Sequence, residues 1–498
     1  MTDRTARAGD GWILAGALLA LYCLLGQQSL YKVDGHSLLW LSRAAETQHS
    51  YHTFYLPGLE LLKTACAPLG LGLYETARLY SALSAAIGML FVHAACRQMQ
   101  LSRLGSNVAT LLLGTSPVVV FFATVVEVQA PFWLFASLAW LGAARLLRAS
   151  HWLATPMIGV CFGLAYLSHP TAALMIFMLP TLLALGARSL PDAAPFTLQR
   201  CAIDTAVAGA AMGVFIMTAP RVLGWLAGTE SSSGSAWHML TNYPGDDLLA
   251  PLRTLEIAAE EWLLPLLPAS ALALWALRDR GLRAAALLLI AGLIPHLFVA
   301  QLMLKGYSER GAYLMSAALP TTLLALEVLD QHRRLIVPAV LVSAALAFVQ
   351  VERHDDPERP RAIAEGLAEV SGGQPFFLIA GHPYDVEAML LYHEELQPHW
   401  LGATVQLPTE QLDAALRDLD QAITLCEDNG LAVLISRRAL DGLRDAARTD
   451  QWLLSHDPEL HVDGTGSAAQ TILAQLDANH QMTPVRAAGF DGFQLQRR

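Results

Sequence analysis

Over its first 350 residues the chain alternates long apolar runs with short polar joints, and after that it changes character. A helix that crosses a bilayer takes about 20 mostly apolar residues. On that measure about eleven spans are predicted, near 11–29, 75–96, 105–123, 128–147, 152–168, 171–187, 202–225, 260–277, 283–304, 311–329 and 334–350. The joint at 30–73 is much longer than the others and too apolar for a free linker. In it Leu38, Leu39, Trp40 and Leu41 stand with Arg43 and Glu46 in an amphipathic pattern, which predicts a helix lying in the membrane interface. The stretch Tyr51–Gly58 breaks that helix, and 59–68 predicts a second short interfacial or re-entrant helix. The joint at 227–258 opens on Gly228-Thr229-Glu230-Ser231 and runs to a turn at Tyr243-Pro244-Gly245-Asp246-Asp247; a substrate lid and a plain connector both fit it.

From the polar linker Glu352–Pro357 onward the pattern is that of a soluble protein. Pro375–Ala380 predicts a buried strand, Gly381-His382-Pro383 a turn, and the residues from about Asp385 a helix. Leu431–Ser436 predicts another strand followed by a helix, and Phe490–Leu495 a last strand. The lone Gly464-Thr465-Gly466-Ser467 is too short a signal for a phosphate loop. The expected architecture is an α-helical polytopic membrane protein, residues 1–351, with a small C-terminal α/β domain, residues 352–498.

The basic residues of the short joints give the orientation, because cytoplasmic loops are enriched in Lys and Arg. Arg97 and Arg103, Arg145 and Arg148, Arg188 and Arg200, Arg278, Arg280 and Arg283, and Arg333 and Arg334 all fall on one side, together with Arg4 and Arg7. The turns at 124–127 and at Ser168-His169-Pro170 carry neither Lys nor Arg. The N-terminus is therefore expected inside and the tail outside. No small-x-small cleavage site follows the apolar run Trp12–Leu25, so the first span reads as an uncleaved signal anchor.

Composition agrees with this picture. The chain of 498 residues is 54% hydrophobic and only 15% charged, and its net charge of -11 comes largely from acids in the last third. There is no basic run and no aromatic–basic interleaving, which excludes a nucleic-acid surface. Cys23, Cys66, Cys96, Cys161, Cys201 and Cys426 form no CxxC pair and no Cys/His metal spacing, and most lie in apolar helices. No disulfide framework or structural zinc is expected.

The outer face gathers Asp34, Glu46, His49, His52, Glu127, His169, Asp246, Asp247, Lys305, Glu309 and Arg310. Ionisable groups at a membrane boundary are costly and usually face a cavity or one another. Several have two readings. Asp34 fits a general base and also a helix cap. Arg310 and Lys305 fit a phosphate-binding pair, and Arg310 also fits a surface pair with Glu309. Glu127 fits a group that orients substrate and also one that favours the start of a helix. His169 fits a ligand for a substrate hydroxyl and also a structural turn residue. His49 and His52 have the spacing of a metal pair without a third ligand. Asp246-Asp247 fits a divalent ion and also a solvated turn.

Taken in order, these stretches resemble the GT-C superfamily of polytopic glycosyltransferases, which use polyprenyl-phosphate-linked sugars. The nearest likeness is to the bacterial members related to protein O-mannosyltransferases and lipid A aminoarabinose transferases. Asp34 matches the acidic residue of their first outer loop, and His52-Thr53-Phe54-Tyr55-Leu56-Pro57 loosely matches the His/Pro/Tyr-rich stretch after it. Ala77-Arg78-Leu79-Tyr80 is similar to the Arg-bearing start of their second helix. Ser116-Pro117, Glu127-Val128, Gly163–Pro170 and Glu309-Arg310-Gly311 with Pro320 are similar to later stations. The chain departs from many relatives in having Gly35, not a second acid, after Asp34.

The resemblance implies an inverting transfer of a hexose or pentose from a polyprenyl phosphate to an extracytoplasmic hydroxyl of a lipid, glycan or protein. Asp34 would be the general base, Arg310 and Lys305 would neutralise the leaving phosphate, and Glu127, His169, His52 and Glu309 would hold substrate. It implies no cofactor and no metal, and a place in the cytoplasmic membrane. A polyprenyl-lipid flippase and a non-catalytic envelope assembly protein are the competing readings; the first is expected to show internal repeats, and none stands out in the sequence.

Overall fold

The computed structural model of the chain describes residues 9–43, 54–148, 153–189, 196–227, 251–303, 310–393, 395–396, 398–405, 407, 409–453, 461–463 and 465–498. The chain divides into two compact units. One consists of Met1–Gln27, Thr47–Pro68 and Thr76–His354, the other of Gln28–Glu46, Leu69–Glu75 and Asp355–Arg498.

Among its described residues the first unit contains helices and no strand. Every predicted span contains helix, and among the described residues five helices are long and apolar enough to cross a bilayer unaided: Leu73–Gln98, Pro170–Ser189, Leu198–Ala219, Arg283–Gln301 and the one that starts at Arg333. A sixth is counted if Arg103–Gly114 and Pro117–Thr124, which meet at 59°, form one broken span. The break has a local cause. Ser116 precedes Pro117 and is steered out of the helical region, to φ -67° and ψ 148°. The hydroxyls of Thr115 and Ser116 turn back to the Leu111 and Leu113 carbonyls, at 2.8 and 2.6 Å.

Two other predicted spans are also interrupted. The one near 260–277 contains a π-helical turn at Ala259–Leu263, and its α-helix resumes at Ala269, after Pro265 and Pro268. The one near 311–329 begins with two left-handed residues, Arg310 at φ 53° and Gly311 at φ 95°, and becomes α-helical only at Ala318.

Small residues set the tightest packing. Gly159 and Gly163 lie one turn apart on Ala154–Tyr166, against the helix Leu198–Ala227. A Cβ on Gly159 would stand 1.9 Å from the Ala208 carbonyl oxygen, and one on Gly163 would meet the Phe215 ring at 2.6 Å. This is the close backbone approach that small-x-x-x-small spacing permits between membrane helices. Elsewhere on Leu198–Ala227, Ile203, Val214 and Met217 are exposed, as side chains against lipid would be.

The second unit is the expected α/β domain. Its sheet runs in the order β2-β1-β3-β7-β6, with β1 Phe376–Ala380, β2 His399–Trp400, β3 Ala432–Ser436, β6 His480–Ala487 and β7 Phe490–Arg497. The strands β2, β1 and β3 are parallel, with Phe376 beside Ala432 and Ile379 beside Ile435. β7 closes antiparallel on β3, and β6 on β7. The continuous apolar runs of β1 and β3 suit strands covered on both faces. Ile379, Val433, Ile435, Leu443, Ile472 and Leu495 are among the residues of the core. A separate two-stranded ladder pairs β4 Gln451–Leu453 with β5 His461–Asp463.

The helix Lys32–Arg43 belongs to this second unit. It starts earlier than the amphipathic pattern suggests. Gly35, His36, Leu38, Leu39 and Ser42 are buried and the remaining described side chains half-buried, so no described residue of it is exposed. It packs on the helix Pro383–Tyr392, and Trp40 lines a cavity with Phe377, His399 and Trp400.

Candidate active site

Asp34 lies in the first turn of Lys32–Arg43, within the helix and not ahead of it; its side chain is outside the described part of the structure. Glu46, His49, His52, Asp246, Asp247, Lys305 and Glu309 also lie outside the described residues. The other candidates, Glu127, His169 and Arg310, are all in the first unit.

Glu127 follows the short helix Pro117–Thr124 and immediately precedes the start of Gln129–Leu146. It is buried, and its Oε1 accepts the Val128 backbone N–H at 2.8 Å. The carboxylate thus meets a free N–H at the start of a helix, where negative charge is favoured.

His169 caps the turn after Ala154–Tyr166. Its Nδ1 accepts the Thr171 backbone N–H at 3.2 Å and lies 2.7 Å from the Thr171 hydroxyl. Its Nε2 lies 3.2 Å from the side-chain amide nitrogen of Gln129. Phe132 packs against the ring, with centroids 5.2 Å apart. Burial pushes the imidazole down to about 3, so His169 is neutral and acts as a hydrogen-bonding group, not as a cation. Through Gln129, two residues beyond Glu127, the structure brings the turns of Glu127 and His169 together.

Tyr55 joins this group. It opens the helix Tyr55–Cys66, is buried, and stands edge-on to Tyr80 at 5.4 Å. Its hydroxyl has no hydrogen-bond partner among the described residues. Burial holds the phenol well above its ordinary range, and nearby Tyr80 and Glu127 push the same way. A buried protonated phenol without a partner is a hydrogen-bond donor available to a ligand.

Arg310 sits in a second group. Its guanidinium lies over the Phe121 ring, 4.8 Å from the centroid. The adjoining Gly311 donates its N–H to Glu261 Oε2 at 3.0 Å, and Glu261 is fully buried in the π-helical turn. The edge of His354 meets the same Phe121 ring at 5.1 Å. His354 Nδ1 bonds Gln27 Oε1 at 2.5 Å, and Gln27 Nε2 donates to Thr124 Oγ1 at 2.8 Å. Arg78 reaches the carbonyls of Gly26 and Gln27 at 3.4 and 3.3 Å. Two guanidiniums and an imidazole are thus tied into one network around Phe121 and Gln27. Guanidinium groups present donors in a fork that matches phosphate oxygens.

Of these residues, sequence reasoning singled out Arg310, Glu127 and His169. It met Arg78 only as part of a motif and His354 only as part of a linker. It met Tyr55 likewise only inside a motif, and it passed over Gln27 and Glu261. Glu261 carried a usable signal, since an acid inside an apolar span is a functional candidate by default. Gln27 carried none, because only its neighbours in space distinguish it.

Residues 69–203 match the family model described as dolichyl-phosphate-mannose-protein mannosyltransferase. No curated protein matches the chain. Among solved structures, two of ArnT from Cupriavidus metallidurans are similar, one bound to undecaprenyl phosphate and one in the apo state. Each is 13% identical, with a TM-score of 0.55, and the match covers 98% of this chain and 98% of that one. At that identity the likeness shows the fold. The family model, over about a quarter of the chain, and the fold both agree with the resemblance read from the sequence.

Proposed function

We propose that this chain moves a hexose or pentose from a polyprenyl phosphate to a hydroxyl outside the cytoplasmic membrane, with inversion at the sugar carbon. Asp34 takes the proton of the acceptor hydroxyl as its oxygen attacks the anomeric carbon. The bond from that carbon to the phosphate oxygen breaks, and polyprenyl phosphate leaves with the electron pair. Arg310, with Lys305, stabilises the charge that develops on the phosphate. Glu127, His169, His52 and Glu309 hold the substrates. The N-terminus is cytoplasmic and the α/β domain extracytoplasmic, as the Lys and Arg of the joints require.

The observation that carries this reading is the seating of Arg310. It rests on Phe121 at 4.8 Å, next to a glycine fixed by a fully buried carboxylate. An isolated surface arginine needs no such support. A neighbouring Arg78 and His354 add positive or hydrogen-bonding groups to the same network. The likeness to ArnT bound to undecaprenyl phosphate supports the same class of lipid donor.

The test is sugar transfer by the purified protein from a panel of radiolabelled undecaprenyl-phosphate hexoses and pentoses, with Asp34→Asn alongside. Transfer that is lost in a folded Asp34→Asn variant supports the assignment. Equal transfer in both removes Asp34 from the mechanism. Binding of undecaprenyl phosphate without transfer from any donor favours a flippase or an assembly protein.

A further inference from the structure

The helix Lys32–Arg43 has only 12 residues. Isolated helices shorter than about 12–15 residues are marginal in water, so this one depends on what it packs against. The helix belongs to the second unit, and its His36, Leu38, Leu39 and Ser42 are buried.

Polar attachments hold it at both ends. Ahead of the helix, Asp355 Oδ1 accepts the backbone N–H groups of Gln28 and Ser29 and the Ser29 hydroxyl, at 2.7, 3.0 and 2.9 Å. Ser29 Oγ in turn accepts the Asp356 N–H at 3.1 Å. Glu387 Oε1 accepts the Leu30 N–H at 2.6 Å, and its other oxygen lies 3.8 Å from His36 Nε2. At the far end, Arg43 donates to the carbonyls of Leu390 and Leu396 at 2.6 and 3.2 Å, and to that of Met389 at 3.5 Å. Met389 and Leu390 belong to the last turn of Pro383–Tyr392, where the Met389 carbonyl also accepts the N–H of the capping His393 at 3.2 Å.

Glu387 is the telling member. A fully buried carboxylate is costly and contributes little to stability compared with a well-packed apolar side chain. What buried polar groups do well is fix one register. This one fixes the chain at Leu30, just before the turn that carries Asp34.

We infer that the α/β domain is a positioning device for the reaction: Asp355, Glu387 and Arg43 lock the axial position and rotation of the helix that bears Asp34. The inference rests on the role proposed for Asp34. A displacement of about 1 Å at a reacting group can cost a hundredfold in rate, so the lock is expected to act on kcat and not on donor binding.

The experiment uses the full-length chain in detergent. Glu387→Ala and Asp355→Ala are compared with the milder Glu387→Gln and Arg43→Lys, by hydrogen exchange over 28–43 and by steady-state transfer with the donor identified in the radiolabel panel. The expected result is exchange at least tenfold faster over 28–43, with the strands of the α/β sheet unchanged. With it kcat falls about tenfold or more, KM for donor is unchanged, and Glu387→Gln shows partial rescue. In an Asp34→Asn background the second substitution is expected to lower kcat no further. Unchanged exchange overturns the inference, as does faster exchange with full kcat while Asp34→Asn alone is inactive. If Asp34→Asn is as active as the parent, or no donor is transferred, the role proposed for Asp34 fails separately, and the anchoring stands or falls on the exchange alone.

Discussion

The guanidinium of Arg310 lies over the Phe121 ring, 4.8 Å from its centroid, although the two residues are nearly two hundred positions apart in the chain. The contact orients the one described cation among those the sequence assigned to the phosphate. Such a stack is worth about 0.5–2 kcal/mol. Phe121→Leu keeps the apolar volume and loses the ring face. It is expected to raise the donor KM by roughly twofold to thirtyfold, the range that energy implies. Arg310→Ala is expected to lower kcat by about two to three orders of magnitude, the loss typical of removing one donor to a developing anion. Steady-state transfer kinetics on both variants check this; an unchanged kcat in Arg310→Ala removes Arg310 from the phosphate.

Glu261 fixes the residue that follows Arg310 by accepting the Gly311 N–H at 3.0 Å. Glu261→Leu leaves that buried N–H without a partner, at a cost of about 1–3 kcal/mol. The expected outcome is a lower melting temperature and a higher donor KM. Glu261→Gln retains an acceptor oxygen and is expected to retain most of both. Thermal unfolding in detergent, run beside donor titrations, separates the two variants.

Gly311 itself stands at φ 95°, with Pro265 only 2.8 Å from where a Cβ would be. Gly311→Ala adds backbone strain to that clash and is expected to destabilise by at least about 1 kcal/mol. Gly159→Ala is expected to be worse, because its Cβ would fall 1.9 Å from the Ala208 carbonyl oxygen, a backbone atom that cannot rotate aside. Size-exclusion profiles and melting temperatures of the two variants give the order; a native profile for Gly159→Ala contradicts the packing described.

His399 offers a pH test in the α/β domain. Burial pushes its imidazole down from 6.5 to about 4, and its Nε2 lies 2.9 Å from the Thr404 hydroxyl. The unfolded chain therefore binds this proton at a higher pH than the folded chain does. The stability tied to the neutral ring is present in full above pH 6.5 and is lost progressively as pH falls towards 4. His399→Gln keeps a hydrogen-bonding side chain that does not titrate. The gap between the melting temperatures of parent and variant is expected to shift against the parent from pH 7.5 to pH 4.5; a constant gap refutes the assignment.

Much of the fold was legible because its causes are local. An apolar run long enough to cross a bilayer must become helix, since its backbone groups have no other partners in lipid. The strand runs Phe376–Ala380 and Ala432–Ser436 were equally plain, being short, apolar and bounded by turn residues. The interruptions were harder. Pro117 is visible in the sequence, but the 59° bend depends on how two half-helices pack. The left-handed turn at Arg310 is held by Glu261, which sequence spacing does not connect to it.

The order of apolar and polar segments, by itself, determined a polytopic helical chain, its α/β tail and the turns between spans that hold Glu127, His169 and Arg310. Tertiary structure alone decided which of these groups share a network. It joined His169 to the Glu127 turn through Gln129, set Arg310 on Phe121 beside His354, and gave the helix of Asp34 to the α/β domain. The physical reason is that hydropathy acts along the chain and fixes each segment's depth and period. Hydrogen bonds and ring contacts between segments far apart in sequence act only after the helices have packed.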